Sequence, residues 1–453
     1  MTATAPPDTA DAATSAALRS ASRRYVLACV LFWLPVGLSV SGILLFADRG
    51  HGLAAIAALF AVHSLTAAAL ELPTGGLSDV LGRRPVLAAS GLLNVAALTL
   101  LALGTNYAVL VVGMVLKGTA RALSSGPAEA WYVDTVQAHA GPGGELRSGL
   151  SRGSAATSAA LAVGTLSGGA APWLLDLVPG LAGRLETATG GLVLPLSVPV
   201  LLGAAVTAIY VLYVLSALRE PPRAPATLGG ILRGVPATIS GGLRLGVREV
   251  TVRRILLTAA AGGVALSAIE LLTPNRAALI TGSPESGAAL YAVLACAGFA
   301  ASALGSSLAP LAARIVRGGE RAVLVSLGTG AAGLLLLAVT ARSTGPLSLA
   351  LAAAGYVLLY LGIGAAGPNQ NELLHRRVTS AGRTTALSVQ SLALQLSFAL
   401  AGPVLGALRV GPLPWLIGGV ALAAGSLLWT RRPAAPAPAK DTAPAERAEA
   451  PLL

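Results

Sequence analysis

The residues best placed to do chemistry in this chain are charges set among apolar runs. From Glu71 to Leu87 the sequence reads Glu-Leu-Pro-Thr-Gly-Gly-Leu-Ser-Asp-Val-Leu-Gly-Arg-Arg-Pro-Val-Leu. Gly75, Leu77, Asp79, Gly82, Arg83 and Arg84 fall there in a fixed order. Asp79 beside an apolar phase needs a partner, because a desolvated carboxylate is costly. Arg83 is four residues on and can reach it. Gly82 permits a tight turn, and Gly75 with Gly76 lets helices approach closely. Such a stretch can lock two apolar segments together by charge and let them part again.

Other charges lie deeper. Lys117 and Arg121 are four apart and share a helix face. Two bases at membrane depth must face a cavity or acids rather than lipid. They could tune a proton-carrying acid or attract an anionic solute group. For Arg121, snorkelling to the surface is the other reading. Glu71, Glu270 and Glu129 are candidate proton carriers, since intramembrane acids mark ion and proton paths. Glu71 could instead bond Lys117 or a helix backbone, and Glu270 could pair with Arg276. His63 is either a proton relay or a packing residue. Asn275 joins Lys117, Arg121 and His63 as candidate lining of a solute cavity. No His/Cys metal spacing and no phosphate-binding glycine loop is present, so no catalytic residue, metal or cofactor is expected, and the chain does not read as an enzyme.

The elements that must carry these residues are apolar helices. Hydrophobic residues make up 55% of the 453 and charged residues 11%, against about 25% charged in soluble domains. Runs of roughly 20 apolar residues recur, each long enough to cross a bilayer as a helix. Twelve spans are expected: 25–46, 53–76, 86–104, 107–131, 149–172, 194–217, 254–274, 288–312, 322–341, 347–367, 382–408 and 413–430. The expected fold is an all-α integral membrane protein of two pseudo-symmetric six-helix bundles, 25–217 and 254–430. A polar tail precedes them at 1–24. A linker at 218–253 carries apolar residues every three or four positions from Leu228 to Val247, which suggests a short amphipathic helix on the membrane face. A Pro/Ala-rich tail at 431–453 is expected to be disordered. Cys29 and Cys296 both fall inside spans and read as packing residues.

The net charge of +12 would suit nucleic acid or a membrane surface, and position decides between them. Of the 31 Lys and Arg, five (Arg49, Arg184, Arg276, Arg342, Arg409) fall at odd-numbered loops and two (Lys117, Arg121) inside a span. The remainder lie at the termini and even-numbered loops. That asymmetry is the positive-inside rule: both termini are expected in the cytoplasm, and nucleic acid is not an expected partner. The bases are nearly all Arg in an Ala/Gly-rich chain, a habit of GC-rich bacterial genomes, so a bacterial inner membrane is the expected location. A shift of 231 residues lays Leu77 on Leu308, Ser78 on Ala309 and Arg83 on Arg314, with Pro310 where Asp79 would be, as in an internal duplication.

The segment Gly75 to Arg84 resembles motif A of the major facilitator superfamily, Gly-x-Leu-(Ala/Ser)-Asp-(Arg/Lys)-x-Gly-Arg-(Arg/Lys), in the loop between spans 2 and 3. Val80 departs from it, where a base is usual. The resemblance implies that Asp79 faces the amino end of span 11 and that Arg83 pairs with an acid at the cytoplasmic end of span 4. Asp134 is the first candidate for that acid and Glu129 the second. The implied Asp79–Arg83–Asp134 cluster closes the cytoplasmic side when the cavity faces outward. Arg121 resembles the buried base of the family's motif B. Gly164-Thr-Leu-Ser-Gly168-Gly169 matches the antiporter motif of span 5 only in part.

The expected function is secondary active transport by alternating access, most similar to bacterial drug:proton antiporters, with efflux of small amphipathic compounds against protons. Uptake or efflux of a polar metabolite is the second reading, and a non-transporting membrane sensor or assembly factor on the same fold is a third. The expected partners are a small-molecule substrate, protons and the lipid bilayer, with the chain a monomer.

Overall fold

The computed structural model describes residues 7–430 except 76, 142–144, 221–239, 241–243, 245–246, 344 and 378–379. The amphipathic helix expected within 218–253 falls largely outside those residues, and the tail from 431 wholly so. The described chain is helical. The first span is α1 (Pro7–Leu38), a 3-10 turn at Ser39–Ser41 and α2 (Gly42–Asp48). Then come α3 (Leu53–Gly75), α4 (Leu77–Leu81), α5 (Arg83–Leu103), α6 (Tyr107–Ser124), α7 (Pro127–Ala140), α8 (Arg147–Asp176), α9 (Leu181–Ala188) and α10 (Ser197–Ala217). The second half is α11 (Val250–Thr281), α12 (Pro284–Ile315), α13 (Gly319–Val339), α14 (Pro346–Arg377), α15 (Ser380–Ala407) and α16 (Pro412–Leu427). Among the described residues, eleven segments are long and apolar enough to cross a membrane. The twelfth, α16, is apolar but has only 16 residues, or about 24 Å of helix. The first helix starts at Pro7, so much of the polar stretch before Tyr25 is helical too.

The fourth span, expected as one helix over 107–131, is instead two helices, broken at Ser125-Gly126. Ser125 is extended, Gly126 sits at φ 95°, and Pro127 takes the first position of α7. A positive φ suits glycine, and proline lacks only an N–H that the first turn cannot use. The break ends α6 and starts α7, which carries Glu129 and Asp134.

Helix pairing repeats between the halves. In the first half α1 packs on α8 and α10, α3 on α6, and α5 on α6 and α10. In the second, α11 packs on α15 and α16, α12 on α14, and α13 on α14 and α16. The two main contacts between the halves are α3 with α15 and α8 with α12, and they exchange under the same symmetry. Small residues permit the closest crossings: a Cβ on Gly164 would stand 2.4 Å from the Leu34 carbonyl oxygen, and one on Gly263 2.3 Å from that of Leu394. The glycine run of the fifth span therefore packs α8 on α1. The turn equivalent to Gly82 (φ 113°) before α5 is Gly318 (φ 152°) before α13. At this turn the repeat register is 236 residues, not the 231 read from the sequence.

The motif loop at Gly82 marks one face of the bundle, called here the motif face. Contacts between the halves concentrate on the opposite face. Ile43, Leu44 and Ile56 share one apolar cluster with Leu271 and Ala288 of the second half. Gly402 and Gly406 abut Ala57, Leu53 and Ala54, and Gly169 abuts Ala288 and Ala292.

Two of the five arginines that break the charge asymmetry have a structural task. Arg49 donates to the carbonyls of Ala102 and Gly104 at the end of α5, and at 3.0 Å to that of Leu192. Arg276 donates to Leu337 at 3.2 Å and to Thr340 at the end of α13. A cation on the last carbonyls satisfies groups that the helix leaves unpaired and complements its dipole. Replacing Arg276 with Met is expected to cost about 1–3 kcal/mol by orphaning those carbonyls. The check is a lowered thermal unfolding midpoint in detergent, and Arg49→Met should behave alike.

Candidate functional site

The motif loop builds a charge network within one half. Arg83 opens α5 and donates from Nη1 to Ser78 Oγ at 2.6 Å. Its Nε stands 3.4 Å from Asp134 Oδ2 on α7. Arg84 donates its backbone N–H to Glu220 Oε1 at 2.7 Å and its guanidinium to the Leu215 carbonyl at the end of α10. Trp131 Nε1 donates to Arg219 O at 2.8 Å. Arg83 and Asp134 thus tie α5 to α7, and the loop also anchors the end of α10. Gly75 ends α3, and Leu77 and Asp79 lie on α4; the Asp79 side chain is outside the described residues, so its place in the cluster stays an expectation. Glu220 is a partner that the linear sequence did not single out.

Behind this network, on the motif-face side of the first half, lies a cavity of about 510 Å³. Tyr25, Phe32, Trp33 and Tyr210 supply its aromatic wall, Ser124, Ser125, Ser154 and Thr157 its hydroxyls, and Arg121 and Glu129 its charges. Aromatic residues are 4% of the chain, yet four gather here because α1 and α10 turn these positions inward. Arg121 and Glu129 both border this space. The break at Gly126 puts them on successive helices, with base and acid on one wall.

One turn deeper than Arg121 on α6 is Lys117. Gly118 beside it packs on His63 of α3, where a Cβ would lie 2.6 Å from the His63 carbonyl. His63 is within electrostatic range of Lys117 and Arg121, and its Nδ1 is buried without a hydrogen-bond partner in the described structure. Among the described residues Lys117 makes no ion pair. Neither residue lines the large cavity.

Glu71, on α3, accepts a hydrogen bond from Gln395 Nε2 of α15 at 3.0 Å, and Gln395 also donates to Ser391 Oγ at 3.0 Å. Its partner is therefore in the other half, not Lys117. Glu270 borders a space of about 20 Å³ between the halves with Phe60, Ser267, Leu271 and Phe398. It is not paired with Arg276, whose guanidinium is taken up by carbonyls of α13. Asn275 lies elsewhere: it lines a separate cavity of about 380 Å³ near the opposite face, with Arg276, Leu279 and Trp415. The candidate lining set of the sequence is thus split over three places.

The Major Facilitator Superfamily pattern matches residues 25–402. The fold is similar to that of the nucleoside transporter NupG, with a TM-score of 0.70, 13% identity, and coverage of 91% of this chain and 100% of that one. A point mutant of that transporter aligns with a TM-score of 0.71 at 14% identity, over 90% and 98% of the two chains. A bacterial homologue of the human lysosomal transporter Spinster, in an inward-facing and unoccupied conformation, aligns with a TM-score of 0.64 at 15% identity over 92% and 94%. No curated protein matches. The chain belongs to the major facilitator superfamily and is a secondary transporter, not an enzyme.

The Glu71–Gln395 contact predicts proximity that can be measured. With Cys29 and Cys296 replaced by alanine, a Glu71→Cys/Gln395→Cys pair should be joined by a short bifunctional thiol reagent in this state. Efficient joining only when the motif face is forced shut would contradict the contact.

Proposed function

We propose that this superfamily member exports small amphipathic compounds in exchange for protons, with the motif face and both termini cytoplasmic. The observation that carries the reading is the cavity of about 510 Å³ on the motif-face side, behind halves that meet on the opposite face. Its aromatic wall offers apolar surface and π-faces, while Arg121 and Glu129 give a solute's polar end somewhere to bind. The state is inward-facing. Rocking the halves would close this cavity and open the opposite face around the same central residues.

In this reading the motif is the cytoplasmic latch. Arg83 and Asp134 hold α5 to α7, so that α4 with Asp79 can meet the start of α15 when the cytoplasmic side shuts. Glu71 bridges the halves already and is the contact that must change first. Glu270 and Glu129 are the acids available to carry protons. A polar metabolite is the second cargo reading, favoured by the four hydroxyls on the cavity wall.

The test is transport by the purified chain in proteoliposomes, using a panel of amphipathic and polar compounds under an imposed pH gradient. Gradient-driven movement of an amphipathic compound, with matching proton flux, is the expected result. Movement of polar compounds alone favours the second reading, and transport indifferent to the gradient removes proton exchange. Asp79→Asn should leave the folded yield unchanged and slow transport at least about tenfold, the effect of losing a contact worth roughly 1.4 kcal/mol in the rate-limiting state. Unchanged transport would remove the latch role.

A further inference from the structure

Another concavity on the motif face is built from the start of the chain. The polar stretch before Tyr25 is helical in α1, and the helix puts its bases in register. Arg19 and Arg23 are four apart and share a face. Arg24, the next residue, turns to α10 and donates to the Ala217 carbonyl at 3.0 Å. Tyr213 of α10 returns a bond, its hydroxyl donating to the Arg24 carbonyl at 3.2 Å. Beside these contacts lies a cavity of about 340 Å³, lined by Arg19, Ser20, Arg23, Arg24, Leu27 and Tyr213.

Three guanidinium groups and no described carboxylate line this space. Among the described residues, no acid pairs with Arg19 or Arg23. Other bases of the motif face are committed. Arg83 holds Asp134 at 3.4 Å, Arg84 donates to the Leu215 carbonyl, and Arg254 stands 4.0 Å from Glu320. Gathering like charges costs energy unless an anion joins them. The planar donor fork of arginine matches the oxygens of a phosphate, and Ser20 adds a hydroxyl.

The walls change character with depth. The end of α10 at Ala217 marks the level at which this span leaves the apolar region. One turn deeper than Arg23 on α1 is Leu27, 43% exposed, and one turn deeper than Tyr213 on α10 is Ile209, 54% exposed. Charge at the surface thus runs into exposed apolar side chains below it. A free anion has no use for that lower part, whereas a lipid matches both.

We propose that the groove between the start of α1 and the end of α10 binds one anionic phospholipid of the leaflet at the motif face. Its phosphodiester sits on Arg19, Arg23 and Arg24, and an acyl chain follows Leu27 and Ile209. Each base near a membrane surface adds attraction for anionic headgroups, and the concavity confines that attraction to one place. The lipid bridges two helices that the Arg24 and Tyr213 bonds already join. This groove shares no lining residue with the large cavity, so the inference goes beyond the transport reading and is independent of cargo and coupling.

The test uses the purified, delipidated full chain in a neutral detergent. Native mass spectrometry counts bound dioleoylphosphatidylglycerol, which is anionic, and dioleoylphosphatidylcholine, which is zwitterionic with the same chains. One phosphatidylglycerol should bind the parent about tenfold or more tightly than phosphatidylcholine does. Arg19→Gln/Arg23→Gln should weaken phosphatidylglycerol at least about tenfold and leave phosphatidylcholine within a factor of about two. A matched control, Arg314→Gln/Arg321→Gln, removes two exposed bases from the motif face of the second half and should bind both lipids as the parent does. Inorganic phosphate or glycerophosphoglycerol, in about hundredfold excess over the lipid, should not displace it, since neither engages the apolar wall. Phosphatidylglycerol should also raise the thermal unfolding midpoint of the parent, by linkage, and not that of Arg19→Gln/Arg23→Gln.

A folded Arg19→Gln/Arg23→Gln chain that binds phosphatidylglycerol as the parent does overturns the proposal. Equal losses in the two double variants overturn it too, because the attraction then belongs to the whole basic face. Displacement by inorganic phosphate leaves an ion site and removes the lipid. The comparison of the two lipids on the parent chain needs no variant, and equal affinity for both counts against the proposal outright.

Discussion

An unpaired backbone carbonyl inside an apolar slab is expensive, and so is an unpaired cation. This chain solves both by placing arginines on the ends of helices. Arg49 covers the last carbonyls of α5 and Arg276 those of α13. On the motif face, Arg24 donates to Ala217 at 3.0 Å and Arg84 to Leu215, both at the end of α10. Each contact joins the end of one helix to another part of the bundle. The bundle's long helices can then end without water at their carbonyls, and their relative heights are fixed. Charges satisfied in this way are structural. Lys117 and Glu270 have no such assignment among the described residues.

The two halves share packing but not chemistry. Their main helix pairs correspond, because small residues at the crossings and apolar faces elsewhere impose the same geometry on both. The charges do not correspond. The first half holds the motif network, the cavity with Arg121 and Glu129, and the bases at midplane. The second half holds Glu270 in its interior and Arg254 4.0 Å from Glu320. A symmetric frame carrying an asymmetric set of charges gives a solute a preferred orientation, and gives each half its own part in the cycle.

The same division separates rigid from changeable contacts. Arg83 with Asp134 and Trp131 with Arg219 lie within the first half and can survive a rocking motion. Glu71 with Gln395 crosses between the halves. So do the Ile43, Leu44 and Leu271 contacts on the opposite face, which are apolar and interchangeable. A polar bridge on one side and a broad apolar seal on the other can be exchanged without burying an unpaired charge.

The residues alone determine the class of fold. Length of apolar runs, the arginine asymmetry and the order of residues at Gly75–Arg84 all follow from local rules, so helices, their number and their family could be read directly. Gly82 is a turn for the same reason, since backbone conformation is set by the residue that occupies it, whereas the break at Gly126-Pro127 falls inside a span read as continuous over 107–131. What the tertiary structure decided is which charges meet. Glu71 finds Gln395, 324 residues away, and Arg84 finds Glu220 across 136; no local pattern marks such partners. Asn275 was separated from Lys117 and His63 because helix rotation, not spacing along the chain, sets which cavity a side chain enters. The approach of Tyr356 and Tyr360 to Gly298 was invisible for the same reason: only packing brings α14 against α12.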